Sequence, residues 1–238
     1  VDGFTENDFF QLFVDERLIE LMVTETNRYA TQWIEAHPET MEKPRTRVKA
    51  WTPVTTEEMK KFLGVTLLMG VIHKPTIQNY WSTDPLLHTP VFKAVMERDR
   101  YLLILKFLHF ADNRQQPDQR DNNRDRLFKV RRFLSLLGER FQEVYTPRAD
   151  MAVDESLMLW KGRLSFKQYL PMKRSRFGIK SFHLCESTGY VYRFEVYVGA
   201  QAATVIDEAI PEAARGMLKT EKLVIYLMGP LLTHGHNL

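Results

Sequence analysis

The sequence predicts an α+β protein: an all-helical amino-terminal region over residues 1–149, then a mixed region of strands and helices over 150–238. Three observations carry this. Apolar residues recur at three- and four-residue spacing through the first 145 positions. After Pro147 the period falls to two. A helical pattern then returns from about Ala202. A chain of 238 residues, 44% apolar and 26% charged, has ample material for one large domain or two modest ones.

Each element follows from local chemistry. Apolar residues at helical spacing predict one helix from Asp8 to Glu35, stopped by His37-Pro38. A second begins at Thr55, where Thr55 and Glu58 match a capping box. Its body, Met59 to Ile72, is apolar nearly all round and is expected to be buried on every side. Thr89-Pro90 reads as an N-cap with proline at the first helical position, opening a segment that runs through Leu102, Leu105 and Leu108 to Phe110. Residues 111–125, almost wholly polar, are expected to be a solvated loop. Leu127, Val130, Leu134, Leu137, Phe141 and Val144 then repeat along one helix face, read as intramolecular core with a dimer contact as the alternative. Past Pro147, Met151 and Val153 alternate with Ala152 and Asp154 as in a strand. Residues 178–185 and 190–198 are rich in β-branched and aromatic residues, and the polar turn Glu186–Gly189 joins them as a hairpin. Helix is expected again over 204–218, then an apolar segment over 221–232 broken by Gly229-Pro230.

Composition excludes several functions. Thirty-three basic against thirty acidic residues leave a net charge of +3, so nucleic-acid binding needs a local patch rather than a global field. One cysteine, Cys185, excludes an internal disulfide and a multi-cysteine zinc site; inside a strand it reads as a small buried hydrophobe. The longest apolar stretch, Phe62 to Ile72, is too short to span a bilayer, and nothing at the start reads as a signal peptide. A soluble intracellular protein with no membrane partner is expected. His234 and His236 lack a nearby third ligand, and His73 and His109 sit in apolar helical contexts that suit satisfied core or rim residues. No Gly-rich phosphate loop or nucleophile elbow occurs, and no small-molecule substrate is indicated.

One stretch stands apart. MAVDESLMLWKGR at 151–163 sets two carboxylates, Asp154 and Glu155, in an apolar run. From Lys161 to Lys180 there follow seven bases and no acid: Lys161, Arg163, Lys167, Lys173, Arg174, Arg176 and Lys180. Hard cations prefer carboxylate oxygens, and bases interleaved with Phe166, Tyr169 and Phe177 suit a phosphate backbone. A metal for the acids and a polyanion for the bases is the sharp reading. An exposed acid pair beside a solvated basic face is the plain one.

Longer stretches carry a resemblance. ETNRYA (25–30), EEMKKFLGVTLLMGVIHKPTIQNYWSTDPLL (57–87), RDRYLLILKFLHFADN (98–113), VDESLMLWKGRLSFKQYLPMKRSRFGIKSF (153–182) and STGYVYRFEVYVG (187–199) resemble the piggyBac transposase family, in its order. The resemblance implies a helical dimerisation and DNA-binding region over 1–149. After it would come the first part of an RNase H-like core over 150–238. In that family three aspartates hold two metal ions, Mg²⁺ or Mn²⁺, that cut DNA and join it at TTAA targets. Asp154 matches the first of them, in the "DE…GR" motif, and is implied to be a metal ligand. The seven bases are implied to contact double-stranded DNA, in a nuclear protein able to form a homodimer. The family's second aspartate follows a "GH"-type turn in a DNF-like motif. Here THGHNL reaches Leu238 without it.

Three readings follow. The first is a transposable-element-derived DNA-binding protein, inactive in cleavage and joining and needing no cofactor in this form. The second is an active recombinase whose other acids lie past Leu238. The third is a domesticated protein-interaction module built on the helical half. An Asp-Asn-aromatic motif beyond Leu238 would favour the second, and salt-dependent DNA binding separates the first from the third.

Overall fold

A computed structural model describes residues 3–118, 120, 121, 124–174, 176–199 and 206–238. Its secondary structure is mixed α+β, helices with a small antiparallel sheet, and no strand precedes Met151 among the described residues. Helices α1 (Glu6–Phe13), α2 (Glu16–Ala36), α3 (Pro38–Glu42), α4 (Thr56–Val71), α5 (Pro90–Val95), α6 (Arg98–Phe107) and α7 (Phe128–Val144) come first. Strands β1 (Met151–Leu159), β2 (Gln168–Tyr169), β3 (Phe177–Glu186) and β4 (Val191–Val196) follow, then helix α8 (Lys219–Met228). No described helix is long and apolar enough to cross a membrane.

The chain packs as two compact units, Val14–Gln116 and, discontinuously, Val1–Phe13 with Pro117–Leu238. The boundary between these packed units lies before α7.

In the unit Val14–Gln116, α2 packs on α4 and α6. Leu18, Ile19, Met22, Met59, Phe62, Phe92 and Ile104 are fully buried there. The single helix expected over 8–35 is broken. Asp15 adopts an extended conformation, and its carboxylate accepts from the Leu18 amide, starting α2 afresh. Thr55 caps α4 as expected, accepting from Glu58 N at 3.2 Å. The other half of the box is absent, because the Glu58 carboxylate takes Arg100 instead. The all-round burial expected for α4 is also corrected. Met59, Phe62 and Val65 are buried, while Leu67 and Val71 are 58% and 78% exposed. Apolar composition signals a preference for burial, but burial requires a neighbour, and the helices packed on α4 lie on one flank.

The stretch ETNRYA on α2 pins this unit. Glu25 pairs with Arg28, Thr26 is buried and accepts from His109 N, and Tyr29 stacks on His109 at 3.4 Å. Asn27 closes both backbone groups of Val54, at 2.9 and 2.7 Å.

In the other unit β3 is the central strand, with β1 on one side and β4 and the two-residue β2 on the other. The expected hairpin over 178–198 forms between β3 and β4, its turn closed by Gly189 at φ +92°. Helices cover both faces. On one, Leu127, Val130 and Leu134 meet Phe166, Ile179, Val196 and Val198, and Phe141 meets Phe194. The apolar stripe of α7 is thus core, as its spacing predicts. On the other face Leu223 and Leu227 of α8 pack with Met151, Leu184, Ile206 and Ile210. Helix α1 docks on α7, with Phe13 5.5 Å from Phe141 and Arg140 donating to Leu12 O at 2.8 Å. At the far end Asn237 forms a parallel bridge to Asp150 beside β1.

Candidate nucleic-acid interface

Strand alternation decides the fate of the acid pair. Asp154 stands opposite His183 in the register, Glu155 opposite Phe182, so the two carboxylates point to opposite faces of the sheet. That pleat counts against the reading in which the two acids share one metal. Asp154 is exposed, and its Oδ1 accepts from the Glu155 amide at 2.7 Å. Beside it His183 is held neutral by burial, which lowers its pKa, and Ser181 Oγ lies 2.9 Å from His183 Nε2.

Glu155 belongs to a different interaction. Lys180, only 19% exposed, donates to it at 2.6 Å, and Lys173 lies 3.4 Å away. The Lys180 ammonium holds the Glu155 carboxyl below the usual carboxylate range. Lys180 also lies over the Phe182 ring at 4.7 Å.

Among the described residues no group of three or more His, Cys, Asp or Glu side chains is placed to hold a metal ion. Two-metal chemistry needs such a group. The residues present do not fit a two-metal centre, and no reaction step is assigned to one. Cys185 is half-buried rather than buried, and burial raises its thiol pKa. His236 contacts Pro147 O, and His109 is held by Phe107 O and Asn113.

The connection from β1 to β3 carries the bases, and the structure sorts them. Lys173 and Lys180 lean on Glu155, while Lys167 donates to Gly162 O and lies 5.6 Å over Phe177. Lys161, Arg163, Arg174 and Arg176 are exposed, and among the described residues no ion pair engages them. Free cations of this kind keep their full attraction for phosphates, whereas paired ones have to give up a partner. The aromatics sort too. Phe166 is buried in the core, whereas Tyr169 and Phe177 are exposed.

Sequence reasoning missed Trp160. It follows β1 and continues the ladder, donating its backbone N–H to Phe177 O at 3.3 Å, while Phe177 stands opposite Tyr169 on β2. Only the register of three strands reveals that these rings form a row.

A family model described as Transposase IS4 matches residues 5–238, and the chain belongs to that family of transposases. Within it the chain is of the piggyBac kind. It is 28% identical over 204 residues to human PiggyBac transposable element-derived protein 3, covering 86% of this chain and 31% of that protein. It is 32% identical over 186 residues to human PiggyBac transposable element-derived protein 2, covering 78% of this chain and 28% of that one. The cryo-EM structure of a piggyBac transposase synaptic complex with hairpin DNA superposes with a TM-score of 0.71 at 26% identity. That match covers 93% of this chain and 42% of the other. The chain thus spans about a third of the curated relatives.

Proposed function

We propose that these 238 residues form a DNA-binding, transposable-element-derived polypeptide that acts in the nucleus and does not itself cleave or join DNA. One observation carries the reading. Four exposed cations, Lys161, Arg163, Arg174 and Arg176, which no ion pair engages among the described residues, lie in the segment that leaves the strand holding Asp154. A phosphate backbone laid on that segment passes toward Asp154. The likeness to a transposase bound to hairpin DNA supports it. Cleavage in this family is implied to use three aspartates, and among the described residues no group of acids around Asp154 is placed to hold a metal ion. The division into a helical dimerisation and DNA-binding region over 1–149 and a partial RNase H-like core over 150–238 is part of the same proposal.

The test is a salt titration of duplex DNA binding. Substituting Arg163, Arg174 and Arg176 together by alanine should weaken binding and lower the slope of log K against log salt by up to about three units. An unchanged affinity and slope would make the segment an ordinary solvated face.

A further inference from the structure

Trp160, Phe177 and Tyr169 stand in one register row across the end of β1, β3 and β2, and they are 41%, 49% and 53% exposed. Cross-strand neighbours point to the same face of a sheet. The Tyr169 and Phe177 rings, 4.7 Å apart, show that they do so here. Continuing the alternation of β1 puts Trp160 on the face of Met158, Ser156 and Asp154, about 20 Å along the strand from Asp154 at some 3.3 Å per residue. The indole lies against the backbone at Gly162, where an added Cβ would come within 2.9 Å of its Nε1.

Three exposed rings at a sheet end are costly to leave in water. Their surroundings are mixed: Met158 and Leu159, beside Trp160 on β1, are exposed apolar residues, and cations border the rings. Lys161 follows Trp160 directly and Arg176 precedes Phe177, both exposed, and the Lys167 ammonium lies over the Phe177 ring. Aromatic rings bordered by cations complement a polymer that alternates flat rings with phosphates. Paired duplex bases present only their edges, so their faces cannot reach such a row. Unpaired bases can.

Resting on the DNA-binding reading above, we infer that this row is a stacking platform for unpaired DNA bases. The segment would then select single-stranded or locally unpaired DNA over intact duplex. The cations give affinity for either form; the rings supply the preference.

The experiment compares a single-stranded oligonucleotide with the blunt duplex of the same sequence by fluorescence anisotropy at one salt concentration. Trp160→Ala should cost about ten-fold in single-strand affinity and leave duplex affinity within two-fold. Trp160→Phe should restore most of the loss, because a smaller ring still stacks. Tyr169→Ala should act in the same sense and Tyr169→Phe should not. Far-ultraviolet circular dichroism and melting curves establish that each variant is folded. Equal losses on both DNA forms, or none on either, would overturn the platform. So would capture of a protein that these substitutions abolish while single-strand binding stays intact. If the arginine triple variant weakens both DNA forms while the Trp160 variants weaken neither, the DNA-binding reading stands and the platform alone fails.

Discussion

At the residue scale, several side chains act as backbone surrogates, and Asn27 shows the cost of losing one. Its amide answers both the N–H and the C=O of Val54, bridging α2 to the chain just before α4. Asn27→Ala would leave two partly buried backbone groups without partners. Each such loss costs about 1–3 kcal/mol, so the variant should unfold at distinctly lower urea, with m unchanged. The same scale separates the two acids at the candidate site. That Asp154 and Glu155 part company was already legible in the sequence, because a period of two sends neighbours to opposite faces. The capture of Glu155 by Lys180 was not legible: twenty-five positions separate them, and only the β1–β3 register joins them. Asp154 was marked as a ligand by resemblance alone; nothing in its immediate neighbours distinguishes it from any exposed strand carboxylate.

At the element scale, periodicity was the readable signal. The change of period at Pro147 marks the first strand at Met151, and the hairpin announced by Glu186–Gly189 is present. The break between α1 and α2 escaped because Phe13 and Val14 continue the apolar pattern across it, although Asp15 offered a cap. Trp160 escaped because a register row is a property of three strands together. That row also depends on one glycine. A Cβ at Gly178 would sit 2.2 Å from the Met158 carbonyl oxygen, a backbone atom that cannot turn aside. Gly178→Ala should therefore force β1 and β3 apart at that end, at a cost of about 1–3 kcal/mol. Faster amide exchange at Trp160 and Met158 than at Asp154 would locate the damage; uniform protection along β1 would contradict it.

At the scale of the whole molecule, the chain's two units are strung in an unusual order. Val14–Gln116 is continuous, whereas the sheet unit takes its first helix from the far side of it. Phe13 meets Phe141 and Tyr190, and Leu12 O accepts from Arg140. Deleting residues 1–13 should therefore lower the melting temperature of the sheet unit. Its effect should appear as exposure of Tyr190 and the end of α7 in amide exchange, with the protection of α2 and α4 unchanged. During synthesis the same arrangement imposes a wait. Helix α1 leaves the ribosome ahead of the other elements described above, but the ring of Tyr190 is made about 180 residues later. At roughly 5–20 residues per second that is ~10–40 s. An eight-residue helix does not hold together alone in water for that time. Phe4, Phe9 and Phe13 must then travel solvated while Val14–Gln116 folds behind them, and the helix made ahead of that unit becomes structured after it.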